Sequence, residues 1–324
     1  MTLSERNTFF KVGIVFCAVC TLLIIVVSFF TIPHYRNFLG TNYIIYQEND
    51  FFPDDDMEQE TDNTASQGTD HAHQGIINSV EVEDDNQNST RRPSGVFQAI
   101  TGSILGNNYY SVHITLILLV IFSLAGILLI HHFFERTSAP EILYIAIFTI
   151  SFSFEVIRLI LPLHLIFNFP LIYVLVASRI LLFARVFGIF SLFAASICSA
   201  GLDVQKTRNI IIVLIIATQV IIMGVPIDVL NWDTSFNMKS GYNSMFRMIE
   251  IGVFFTTMIS FLITAKIRES KEYAFVALGI ILALAGRSIL LSADNWISPL
   301  PGIFLLSYGT WFLCSKLHRI NLWL

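Results

Sequence analysis

Eight charged residues interrupt long apolar stretches of this chain: Glu155, Arg158, Arg179, Arg185, Arg247, Glu250, Arg287 and Asp294. If those stretches lie in a bilayer, each such charge costs about 2.5–3.5 kcal/mol on insertion, so it needs a partner or a purpose. Spacing suggests partners. Glu155 and Arg158 are three residues apart, as are Arg247 and Glu250, which puts each pair on one helix face. Arg287 and Asp294 are seven apart, two turns along nearly the same face. A guanidinium fork matches carboxylate and phosphate, so surplus arginine in such a cluster would suit an anionic ligand.

The elements that carry these residues are membrane helices. Of the 324 residues, 54% are hydrophobic and 13% charged, half the charge of an ordinary soluble domain. The apolar residues come in blocks long enough to span a hydrocarbon core of about 30 Å. About eight such blocks can be read: Val12–Pro33, Ser111–Phe134, Glu141–Phe167, Pro170–Ala200, Asn209–Val225, Asn243–Ala265, Tyr273–Ala293 and Ile297–Ser315. The expected fold is an all-α polytopic bundle, with one signal-anchor helix in residues 1–36 and a seven-helix domain in 111–324. Short connections join the seven. Pro140, Pro170 and Pro299 mark helix starts, Pro226 marks an end, and Pro162 marks a possible kink.

Residues 37–110 differ in kind. They hold thirteen acidic and two basic residues, a net of −11 against −5 for the whole chain, which leaves +6 for the rest. Such a segment cannot bury enough apolar surface to offset chain entropy, and is expected to be a mostly disordered outer loop. Asn88-Ser89-Thr90 fits a glycosylation sequon. Asp70, His71 and His73 are read as part of a solvated loop, and neither a metal nor a cofactor is expected. Cys17, Cys20, Cys198 and Cys314 all lie in apolar blocks and read as packing thiols.

Loop charge orients the bundle. With the N-terminus in the cytoplasm, the inner side holds ten Lys and Arg (Arg6, Lys11, Arg136, Lys206, Arg208, Lys266, Arg268, Lys271, Lys316, Arg319). The outer side then holds four: Arg36, Arg91, Arg92 and Lys239. Both termini are therefore expected in the cytoplasm of a cell membrane. In this orientation Arg158, Arg179, Arg247 and Arg287 face Glu155, Glu250 and Asp294 in the outer half, and Arg185 alone falls on the inner side. Two readings stay open. One is an outward polar pocket for an anionic metabolite or lipid headgroup. The other is a set of structural ion pairs and interface-seeking arginines.

No lysine sits in mid-span, and no nucleophile elbow, zinc-protease or nucleotide-binding motif occurs. A lone carboxylate, Glu155 or Glu250, could act as a general base on a lipid-linked substrate; nothing else supports an enzyme. No nucleic-acid partner is expected. The sequences around Arg179 and Arg287 (ASRILL and AGRSIL) echo each other, which would fit an inverted repeat of a transporter. Gly279, Ala283 and Gly286 form a small-residue stripe suited to close helix packing.

The plan of one anchor helix, an outer segment and seven spans resembles bacterial seven-transmembrane sensor modules, the receptors with diverse intracellular signalling modules. The resemblance covers topology from about residue 37 onward and transfers no functional residue. It implies a receptor that signals through a partner protein at short inner loops such as Ser199–Asn209 or Lys266–Glu272, since the chain ends nine residues after the last block. Transporter and structural-subunit readings stand beside it. The orientation has a direct check. A phosphatase reporter that works only outside the cytoplasm, inserted between Asp85 and Asp84, should be active, and a fluorescent protein fused after Leu324 should glow; the reverse pattern would invert the topology.

Overall fold

The computed structural model describes residues 3–49, 109–134, 139–201, 207–232, 236, 238–240, 243–292 and 297–323. The chain is built of helices. They are α1 (Leu3–Asn49), α2 (Tyr109–Phe134), α3 (Pro140–Ser151), a 3₁₀ segment (Phe152–Leu159), α4 (Ile160–Phe167) and α5 (Leu171–Ser199). Then come α6 (Thr207–Met223), a hairpin of β1 (Ile227–Trp232) and β2 (Met238–Ser240), α7 (Asn243–Ile267), α8 (Lys271–Leu291) and α9 (Pro299–Trp323). Among the described residues, six helical stretches are long and apolar enough to cross a membrane: Leu3–Thr31, Ser111–Phe134, Pro140–His164, Leu171–Ser199, Arg247–Ile267 and Lys271–Leu291. α6 is apolar but only 17 residues long. α9 has 25 residues, with its hydropathy diluted by Pro301, Gly302, Ser307, Tyr308, Gly309, Thr310 and Trp311.

Proline sets several boundaries. α3 opens with Pro140 in its first turn after extended Ala139, where a missing N–H costs nothing. α5 follows Pro170 and α9 starts on Pro299. Two features depart from the sequence expectation. α1 does not stop near Pro33 but runs on as helix to Asn49, so residues 37–49 of the expected loop are helical. The connection between α6 and α7 is a β-hairpin rather than a plain turn. Residues 50–108, with the sequon at Asn88 and the His71/His73 pair, lie outside the described residues, as does Asp294.

α3 is the hub. Every residue from Ile142 to Thr149 is buried, the pattern of a helix enclosed on all sides. Its last turn is approached by glycines from three other helices. A Cβ on Gly126 of α2 would lie 2.6 Å from Thr149 Cγ2, one on Gly13 of α1 2.9 Å from Ile150 Cδ1, and one on Gly188 of α5 2.5 Å from Ser151 Oγ. A polar knot ties the same level together. Ser153 Oγ lies 2.8 Å from Ser123 Oγ and 3.2 Å from Cys17 Sγ. Ser123 donates to the Thr149 carbonyl at 2.7 Å. Buried hydroxyls of this kind join helices where lipid offers no hydrogen-bond partner. All four cysteines are buried thiols, none in a disulfide.

α8 and α9 meet through small residues. A Cβ on Gly309 would fall 2.5 Å from the Ala283 nitrogen, and one on Gly302 2.8 Å from Leu290 Cγ. One on Gly286 would strike the Gly302 carbonyl oxygen at 2.8 Å. Gly309→Ala and Gly286→Ala should therefore each destabilise the bundle by about 1–3 kcal/mol through overpacking, read as a lower Tm of the purified protein. Gly252→Ala on α7 is the control, because nothing lies within 4 Å of its added carbon; equal melting of all three would show that α8 and α9 are not in backbone contact.

Candidate functional site

The span Pro140–Phe167 changes winding halfway. Pro162 has no N–H to bond the Arg158 carbonyl four residues earlier, and its ring crowds that carbonyl. The backbone tightens to 3₁₀ over Phe152–Leu159 just before it. At three residues per turn, side chains three apart eclipse. Glu155 and Arg158 therefore stack on one side, with Arg158 Nη1 3.6 Å from Glu155 Oε2 and both side chains 2% exposed.

The principal partner of Glu155 comes from α5. Arg185 donates from Nε to Glu155 Oε1 at 2.7 Å and from Nη2 to Oε2 at 2.7 Å. This is a fork-to-fork pair, the strongest geometry open to a carboxylate. A second pair lies beside it. Arg287 of α8 is buried and pairs through Nη1 with Glu250 Oε1 of α7. Its Nη2 donates to the Arg185 carbonyl at 3.4 Å. Arg287 is also within electrostatic reach of Glu155, and Glu250 of Arg185. One network of three guanidiniums and two carboxylates thus joins the 3₁₀ segment, α5, α7 and α8. Its accessible end is Glu250, whose side chain is 43% exposed against 4% for Arg287.

A cleft of about 460 Å³, counting its open mouth, borders the network. Arg158, Arg185 and Ser178 supply its polar lining, and its walls are otherwise aliphatic side chains of the 3₁₀ segment, α4 and α5. Ile227 and Phe236 of the hairpin region close one side. Phe236 has a positive φ of 56° and is buried in an apolar cluster drawn from α1, α2, the 3₁₀ segment, α4 and α5, with its ring edge-on to His113 of α2 at 5.7 Å. His113 in turn lies 3.3 Å from Thr31 Oγ1.

Of the residues singled out in the sequence, Glu155, Arg158, Glu250 and Arg287 are brought together. Arg179 is not: it donates to Met223 Sδ at 3.0 Å, near the end of α6. Arg247 is exposed on α7. The residue that sequence reasoning set apart is Arg185, which was placed on the inner side. It stands midway along α5, and its long side chain crosses to Glu155. Matching depths would have found it: Arg185 and Glu155 are the two charges nearest the centres of their spans. Nothing in the sequence announced the hairpin closure by Phe236.

Comparison with protein-family models, curated proteins and solved structures returns no match.

Both Glu155 oxygens accept from Arg185, so this carboxylate is poorly placed to take a substrate proton. The arrangement suits holding helices in register and presenting guanidinium to an anion. Removing one member of a buried pair strands the other's charge, which costs about 3–5 kcal/mol. Glu155→Gln and Arg185→Gln should each lower the Tm strongly. The double variant should lose much less than the sum, as a double-mutant cycle reads it; additive losses would mean the two side chains do not interact.

Proposed function

We propose that this chain is an eight-span cell-membrane protein with both termini in the cytoplasm, acting as a receptor-like module that binds an anionic ligand from the outer side. The observation that carries this reading is the cleft itself, where Arg158 and Arg185 line one space beside a single shared carboxylate. α6 and α9 complete the eight spans. At 1.5 Å per residue the 17 residues of α6 cover about 26 Å, enough with slight bilayer thinning. The loop charges favour the outer side for the hairpin, whose Ile227 borders the cleft. An anion at the two guanidiniums would compete with Glu155 for them. It would thereby alter the tie between the 3₁₀ segment and α5, and so shift helices whose other ends reach the inner loops.

A transporter is the second reading, favoured by one observation: the span winds as 3₁₀ at the depth where its charges sit, the kind of mid-helix change that marks functional hinges.

A thermal-shift screen with anionic metabolites and lipids separates these. A ligand at about 100 times its Kd should add about 2.7 kcal/mol of stability. The gain should shrink in Arg185→Lys, which keeps the charge but loses the fork. Binding without flux in proteoliposomes supports the receptor; binding with flux supports the transporter. A flat response across the panel, from a protein that melts cooperatively, would leave a structural or assembly role for the ion network.

A further inference from the structure

The cleft has two kinds of surface, and their arrangement specifies a ligand more narrowly than charge does. Arg185 lies midway along α5, and Val174 lies eleven residues nearer its outer start, about 16 Å along the axis. Between these levels the lining of α5 is Ser178, Leu181 and Leu182, and the facing wall includes Ile157 and Leu161. Val174, Leu181 and Leu161 are buried and back this wall, while Ile157, Ile160 and Leu182 are only half-buried along it. The opposite side of α5 carries Ile172, Val176 and Ile180, all exposed, so α5 turns one apolar face to lipid and another to the cleft. A small hydrophilic anion would satisfy the arginines and leave this apolar length against water. A neutral hydrocarbon would fill the length and leave the guanidiniums facing it.

We infer that the cleft takes a single-chain anionic amphiphile, its carboxylate or phosphate at Arg158 and Arg185 and its aliphatic chain along Ile157, Ile160 and Leu182 toward Ile227. This rests on the anion-binding reading above and goes further, to the class of ligand. Even with the open solvent at its mouth counted, the space is about 460 Å³, too small for a two-chain lipid. The chain end would meet Phe236 and Ile227, the two hairpin-region residues on the lining. The shared chemistry is an alkyl anion; a free fatty acid and an alkyl phosphate are separated by the test.

The experiment is calorimetric titration of the full chain in zwitterionic nanodiscs, with empty-disc heats subtracted. The probes are alkanoates and alkyl phosphates from butyl to decyl, acetate, inorganic phosphate, and a decyl glucoside of no charge. Affinity should rise up to about fourfold per added methylene, at one site per chain. The glucoside should bind at least tenfold more weakly than the anion of equal chain. Tighter binding in one series than the other identifies the headgroup. Leu182→Trp, which fills the cleft one turn before Arg185, should flatten the chain-length dependence, and a Tm close to the parent's shows that the Glu155–Arg185 pair is kept. If acetate or inorganic phosphate binds as tightly as the decyl anions, the amphiphile inference falls while the anion site stands. If the glucoside matches the anions, or Leu182→Trp changes nothing, the chain is partitioning elsewhere and the inference falls. If no anion of any length binds a cooperatively folded protein, the anion-site reading falls with it.

Discussion

Everything about the middle of this bundle turns on the Glu155 carboxylate. A carboxylate with 2% exposure inside an apolar bundle is intolerable alone, because desolvation costs several kcal/mol even after relaxation. The bidentate fork of Arg185 makes it tolerable, and Arg158 adds a second guanidinium from the same span. The interaction is directional as well as strong. It fixes the depth of α5 against the 3₁₀ segment, and through the Arg185 carbonyl it also fixes Arg287. Arg287 then holds Glu250 of α7. Four helices are set in register by one chain of contacts, in an environment where apolar packing alone gives little sense of register, since lipid is as apolar as the side chains.

The backbone prepares that contact. An α-helix would leave Glu155 and Arg158 about 60° apart around the axis, on one face but offset; a 3₁₀ turn places them one above the other. The tighter winding falls where Pro162 removes the ordinary hydrogen bond to the Arg158 carbonyl. Just before it, the glycines at positions 13, 126 and 188 let three helices close on the last turn of α3. The result is a close-packed collar, tied by the Ser123–Ser153–Cys17 contacts, next to an ion network with one accessible end. Elsewhere the same device of small residues serves packing alone, as where Gly286 and Gly309 bring α8 and α9 to backbone distance.

Proximity of a cleft to the ion network gives the site its character. Arg158 and Arg185 belong both to the structural network and to the cleft lining. Any group that binds them must act on the contact that holds the 3₁₀ segment to α5. A ligand held there would couple its binding to helix registration through shared atoms, as the proposed receptor or transporter requires.

The sequence by itself determined the class of molecule. Composition and block length required membrane helices, because so few charges cannot cover a soluble surface. Pro140, Pro170 and Pro299 placed helix starts, since proline lacks the donor that an interior turn needs. The stripe Gly279, Ala283, Gly286 indicated a close helix contact, and α9 supplies it through Gly302 and Gly309. The charged residues themselves were also legible, because any charge in an apolar block stands out. Their pairing was not. Arg179 and Arg185 are six residues apart and look alike in sequence, yet one meets Met223 and the other meets Glu155. Arg247 shares a spacing with Glu250, yet Glu250 pairs with Arg287, thirty-seven residues on. Local spacing tells which residues share a helix face; it does not tell which helix that face meets, or how far a long arginine reaches. The hairpin that sets Phe236 against the cleft was hidden for the same reason. Its burial comes from a cluster drawn from α1, α2, the 3₁₀ segment, α4 and α5, and only the tertiary structure brings those elements to it.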